Sequence, residues 1–313
     1  MDDAPREAPR RVPRTGPCLI HLVRAANGPA PLRSFAAALR RHRPGVPYEL
    51  VLAMKGFGSH EQAAPYLEEL ADLAPEPLFF PDTGLDLGVY FAAAARLRRG
   101  RYCFLNSYSE PLADGWLARL DAALAEPGVG LVGATGSWAS TRSWIAYSLG
   151  LPSAYHGALP PARMVRRQLL GLVPERTSDR RRSTIEAARL RAMTLRLLPD
   201  HERFPAHHLR TNAFMVTRET LERLRLPAAV HDQLDTLRLE SGRRSITRQV
   251  QRMGLRTLVV DRTGAAFDHD RWDRSMTFWQ GEQEGLLVAD NRTLLYERAD
   301  APLRRVLSSL TWG

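Results

Sequence analysis

The stretch Gly100–Trp116, GRYCFLNSYSEPLADGW, is the part of the chain best suited to chemistry. A short apolar run, 102–105, reads as a buried strand that ends in the polar tip Asn106-Ser107-Tyr108-Ser109, followed by a proline-started helix. Amide and hydroxyl groups off the carboxyl end of such a strand sit where open α/β sheets bind ligands. The same residues also serve as ordinary turn formers. A second candidate is Leu239-Glu240-Ser241-Gly242-Arg243, a carboxylate just before a helix that Ser245 would cap. On residue types alone it pairs with Arg243 or Arg244, and Asp232 and Asp235 lie a few residues upstream. The third is the tail 267–291, where Trp272, Phe278 and Trp279 interleave with Gln280, Glu282, Gln283, Asp290 and Asn291. Rings beside amides and acids suit a sugar site, and rings alone also fill cores.

The elements that must position these groups alternate. Strands are expected at 18–23, 49–54, 78–80, 102–105 and 129–133, with helices at 31–41, 61–73, 88–99 and 113–125 between and after them. Gly84 and Gly88 read as turn and helix-entry residues, and Asp86 as a cap or first-turn acid. From about 140 to 205 the pattern changes to two helices, near 161–172 and 183–198, flanking Arg180-Arg181-Arg182. Strand 213–216, helices 218–224 and 245–253, and strand 258–260 then restore the alternation, with Gly254 placed to end the second of these helices. This predicts a mainly parallel twisted sheet flanked by helices, with a helical basic insertion. The expected divisions are a disordered tail 1–17, a first half 18–140, the insertion 141–206 and a second half 207–313.

Composition bounds the rest. With 313 residues and 44% hydrophobic content the chain can bury a substantial core as one α/β domain. Cys18 and Cys103 both fall in apolar runs, which favours buried thiols and a reducing, cytoplasmic compartment. No apolar run is long enough to span a bilayer. The net charge is +10, nearly all arginine, with Lys55 the single lysine. A basic surface suits nucleic acid, anionic lipid or phosphorylated substrates. No zinc-finger spacing, helix-turn-helix or RNA-recognition signature accompanies it, so nucleic acid is not the expected partner.

The order of segments resembles the nucleotide-sugar glycosyltransferases of the GT-A fold, family 2 type, and within them the rhamnan-synthesis-like branch. The first strand and loop (16–27, including Arg24), YELVLAMKG at 48–56, DTGLDLGVY at 82–90 and the 100–116 segment carry the resemblance, which covers most of 18–140 and resumes over about 208–262. It implies an inverting glycosyltransferase that moves a sugar from a nucleotide donor to a glycan or glycolipid in bacterial surface-polysaccharide synthesis, at the inner face of the membrane. It places Arg24, Lys55, Asp86, Asn106, Ser107 and Tyr108 at the donor. Arg210, Asn212, Arg243, Trp272 and Gln283 fall at the acceptor, and Glu240 is the base that takes the acceptor hydroxyl's proton.

Two departures matter. The family's metal-holding Asp-x-Asp falls on Asn106 and Tyr108, and its base-reading aspartates on Met54 and Lys55. Mn²⁺ or Mg²⁺ would then need other ligands, such as Glu110 or Asp268-His269-Asp270. Without a metal, Lys55, Arg210 and Arg243 would neutralise the diphosphate. A non-catalytic sugar- or nucleotide-binding relative is the alternative. A sugar nucleotidyltransferase fits less well, because Val23-Arg24-Ala25-Ala26-Asn27-Gly28 is not its glycine-rich loop.

Overall fold

The computed structural model describes residues 16–148, 197–227, 230 and 233–313. The tail 1–15, the expected insertion helix near 161–172, most of that expected near 183–198, Arg180–Arg182 and Asp232 lie outside the described residues. Elements below are numbered over the described part of the chain.

An eight-stranded sheet runs in the order β11-β10-β6-β9-β4-β1-β2-β3. Its strands are β1 (Cys18–Arg24), β2 (Glu49–Lys55), β3 (Glu76–Phe80), β4 (Arg101–Leu105), β6 (Val129–Gly133), β9 (Ala213–Thr217), β10 (Arg256–Val260) and β11 (Ala266–Asp268). The first two are buried almost throughout, as expected of strands covered on both faces. Neighbouring residues alternate between the faces, so each strand feeds two cores. Leu19, Leu52, Met54, Cys103, Leu105 and Met215 meet α1 (Ala30–Arg41), α2 (His60–Glu68) and α4 (Trp116–Leu124). Cys18, Ile20, Val51, Ala53, Phe104 and Phe214 meet α3 (Leu85–Leu97) on the other side. Cys18 and Cys103 therefore lie in different cores and cannot bridge.

β9 is antiparallel to both neighbours, β4 and β6. Its amino end consequently joins the carboxyl ends of β1, β2, β4 and β6 at one edge of the sheet. β1 has β2 on one side and β4 on the other, which makes this edge the topological switch point where open sheets bind ligands. Two short ribbons build upward from it. β5 (Glu110–Pro111) pairs with β12 (Val288–Ala289), returning the C-terminal tail to the tip of β4. β7 (Gly136–Ser137) pairs with β8 (His208–Leu209).

Several sequence expectations shift. The helix after the tip starts at Trp116, because Pro111 belongs to the β5 ribbon and Gly115 turns the chain with φ 73°. The helix expected over 61–73 ends at Glu68, and Leu70 then turns fully into the core. Ser245 and Gly254 behave as expected: the Ser245 hydroxyl accepts from Arg248 N, and Gly254 has φ 76° just beyond α8 (Ile246–Arg252). Glu240 does not precede its helix in a loop. It lies in the last turn of α7 (Gln233–Ser241), which follows α6 (Arg218–Arg223). The tail adds α9 (Asn291–Glu297) and α10 (Ala301–Trp312), beyond the helices expected from the sequence pattern.

Candidate functional site

One side of the sheet edge carries paired cations. Arg24 ends β1 and Lys55 ends β2, and the β1–β2 register sets them side by side. Lys55 is almost fully buried, and its Nζ lies 3.4 Å from Asp82 Oδ1. Arg24 Nη2 is 3.8 Å from the same oxygen, and its Nε is buried with no hydrogen-bond partner among the described residues. Gly56, at φ 76°, permits this approach: a Cβ there would sit 3.1 Å from the Asp82 Cβ. Asp86 stands in the first turn of α3, whose left-handed cap is Gly84. Burial pushes the Asp86 carboxyl above the usual carboxylate range, Arg24 and Lys55 oppose the rise, and Glu240 adds to it.

The other side is a cavity of about 170 Å³. Its walls include His208, Arg210, Glu240 and Arg292, with Trp144, Phe278 and Trp279 supplying rings. Glu240 Oε1 accepts hydrogen bonds from Thr211 N at 2.9 Å and from Thr211 Oγ1 at 3.1 Å. A carboxylate near a helix C-terminus opposes the helix dipole. The two Thr211 donors offset that cost and fix one oxygen, leaving Oε2 without a hydrogen bond from any described residue. A half-buried acid held against its local preference is a mark of function rather than of folding.

The Arg210 guanidinium donates to Asp290 Oδ2 at 2.7 Å and lies 4.0 Å from the centre of the Phe278 ring. Asp290 is fully buried, and its other oxygen caps α9 through Arg292 N and Thr293 N. The Arg292 side chain makes no hydrogen bond or ion pair with any described residue. Burial and the nearby Arg210 lower its pKa, against the attraction of Asp290 and Glu240. Burial likewise lowers His208, so its ring is neutral near pH 7; Nδ1 then donates to the Ala206 carbonyl at 2.8 Å.

The rings are held from behind. Trp144 Nε1 donates to Leu310 O, Trp279 Nε1 to Arg292 O, and Trp312 Nε1 to Phe278 O. Trp279 itself is in the left-handed region at φ 49°. Gln283 braces it, accepting from Trp279 N and donating to Thr293 O. Backbone held in that region by its surroundings clusters at functional sites.

These placements sort the residues expected from sequence. Glu240 and Arg210 meet at the cavity, while Arg24, Lys55 and Asp86 meet at the strand ends. Asn106 Oδ1 is turned into its own loop, accepting from Tyr108 N at 2.9 Å and lying 3.1 Å from Ser109 Oγ. Ser107 is buried with its hydroxyl unpartnered, and Tyr108 is 39% exposed. Asn212 lies beneath the site, its Oδ1 accepting from Thr135 Oγ1 and its carbonyl from Asn106 N. Trp272 is fully buried against Gly136, where a Cβ would approach its ring within 2.8 Å, so it belongs to the core and not to the cavity wall. Gln283 acts behind Trp279. Arg243 is exposed and donates to Pro199 O, away from the cavity.

Among the described residues, no group of three or more His, Cys, Asp or Glu side chains could hold a metal. Asp268 is held by Arg256 through two hydrogen bonds, and the His269 ring packs edge-on against His207. With Asn106 Oδ1 committed to its turn, this donor set does not fit the usual hard-cation site.

Sequence reasoning missed Arg292, Asp82, His208 and Trp144 as site residues. The Asp290–Thr293 spacing was a readable capping box that would have started a helix there and put Arg292 in its first turn. Trp144 had no such signal.

No family model matches the chain, and no curated protein matches it. Among solved structures, it is similar to the mannosyltransferase PcManGT from Pyrobaculum calidifontis, solved in complex with GDP-Man and Mn²⁺, at 13% identity and a TM-score of 0.42. That match covers 93% of this chain and 68% of the other. It is also similar to the bifunctional glycosyltransferase WbbM, at 12% identity and a TM-score of 0.36, covering 77% of this chain and 38% of that one. At these levels the likenesses carry no argument about activity.

Proposed function

We propose that the protein transfers a glycosyl group from a nucleotide-sugar donor to a glycan or glycolipid acceptor hydroxyl, with inversion. The observation that carries this reading is Glu240, oriented by Thr211 through one oxygen and lining an aromatic-walled cavity. Glu240 Oε2 accepts the acceptor's hydroxyl proton as that oxygen attacks the anomeric carbon. The bond from the anomeric carbon to the donor's diphosphate oxygen breaks, and the nucleoside diphosphate leaves with the electron pair. Arg24 and Lys55 take its charge at the strand ends, with Ser107 and Tyr108 bordering the donor; ring faces hold the acceptor in line. No step is routed through a metal. No helix among the described residues is long and apolar enough to cross a membrane. The proposed setting is bacterial surface-polysaccharide synthesis on the cytoplasmic side, with an acceptor presented at the inner face.

The test pairs binding with turnover. Glu240→Gln removes the base and keeps the hydrogen bonds from Thr211, so it should retain donor binding and lose transfer. Full activity in that variant would remove Glu240 from the mechanism. Asn106 and Tyr108, standing where carboxylates are expected, favour a second reading as a non-catalytic sugar or nucleotide binder. That reading predicts donor binding in the wild type without turnover against any acceptor.

A further inference from the structure

We infer that the acceptor sugar carries an oxyanion, a carboxylate or a phosphate ester, and that Arg292 is the residue that selects it. This rests on the glycosyl-transfer reading and names the acceptor class of the same cavity. At about 170 Å³ the space lies below the ~300 Å³ at which drug-sized pockets begin, which restricts it to roughly one sugar ring. Three of its four ionisable groups are already engaged within the protein. Arg210 is paired with Asp290, Glu240 is fixed by Thr211, and the His208 Nδ1 is on the Ala206 carbonyl. Arg292 alone among them lines the space with no acceptor for its side chain among the described residues.

A half-buried guanidinium without a partner is costly, and a ligand anion that completes its hydrogen bonds recovers that cost. The planar fork of arginine donors matches two oxygens of a carboxylate or phosphate. The rings supply the remaining surface. Trp279 and Phe278 stack on each other with centroids 4.6 Å apart, and the Trp279 indole is hydrogen-bonded to the Arg292 carbonyl. Arg292 and the stacking wall are therefore one unit, placed by the Asp290 cap. Glu240 and Arg292 line the same space as this wall, and a neutral sugar offers the guanidinium hydroxyl acceptors but no opposite charge.

The experiment is calorimetric titration of the whole protein, without donor, against three probes: methyl glucoside, methyl glucuronide and methyl glucoside 6-phosphate. At least one charged probe should bind about 10- to 100-fold more tightly than the neutral one, as charge-assisted hydrogen bonds imply. Arg292→Gln should erase that preference while its melting temperature stays near wild type, because the side chain holds no internal bond. The tighter charged probe names the source of the oxyanion. Equal binding of all three probes, or a preference that survives in Arg292→Gln, overturns the inference. So does a loss confined to nucleoside diphosphate binding, which would assign Arg292 to the donor. Failure of the transfer reading appears separately, as absent nucleotide binding in the wild type.

Discussion

The two halves of the sheet edge solve different problems. On the β1–β2–β3 side, cations stand at the ends of adjacent parallel strands, so a few consecutive segments suffice to build them. Arg24 and Lys55 share one half-exposed acid, Asp82, and leave donors available for a charged ligand. On the β9 side, the groups come from segments far apart in sequence: Thr211, Glu240, Arg210 with Asp290, and rings from 144 and 278–279. Each is fixed by a hydrogen bond before any ligand arrives. On the proposed reading, the first half neutralises charge and the second orients a reacting hydroxyl.

Removing the base should have the largest effect. Glu240→Gln is expected to lower transfer by about 10²–10⁴-fold, the usual contribution of a positioned general base, with nucleotide affinity within a few-fold of wild type. A matching loss of nucleotide affinity would merge the two halves. Next, Lys55→Met should weaken nucleoside diphosphate binding by about 10- to 100-fold and leave glycoside binding untouched. Calorimetry with both ligand types checks this, and a loss on the glycoside side breaks the division.

A smaller effect tests the support beneath the charged edge. His21 on β1 is fully buried, stacked on Phe35 at 3.8 Å, with neither ring nitrogen hydrogen-bonded. Burial lowers its pKa from 6.5 to about 3. Below pH 6.5 the unfolded chain takes up a proton that the native ring refuses, so stability falls as pH drops from 6.5 toward 3. At pH 5 the cost is about 2 kcal/mol, from ~1.4 kcal/mol per unit of depression. His21→Leu should raise the melting temperature more at pH 5 than at pH 8; an equal change at both would show that proton uptake elsewhere sets the acid sensitivity. Smallest of all, Asn106→Ala should cost about 1 kcal/mol through its lost turn bonds, with little change in nucleotide affinity. A large loss of affinity would return Asn106 to the donor site.

The contrast also explains what could be read from sequence. The strands announce themselves as apolar runs between turn signals, and the cations at their ends come with them: Val23-Arg24 and Met54-Lys55 are adjacent to the core residues that locate them. Glu240 was legible as a carboxylate near a capped helix, but its place in the preceding helix was not, since α7 has too little apolar periodicity to mark it. Trp272 and Gln283 show the limit most clearly. Residue type made both plausible ligands, whereas only packing reveals that Trp272 fills the space left by Gly136 and that Gln283 holds Trp279 from behind. Arg292 depends on the β5–β12 ribbon, a pairing between segments far apart in sequence that no local pattern predicts.

The most direct test is the thermal shift of the purified protein with a panel of nucleoside diphosphates, each with Mn²⁺ and with EDTA, repeated on Lys55→Met. Selective stabilisation by one base is expected, with the shift persisting in EDTA and lost in Lys55→Met. No shift with any nucleotide would contradict glycosyl transfer from a nucleotide donor, and a shift abolished by EDTA would contradict charge neutralisation by Arg24 and Lys55.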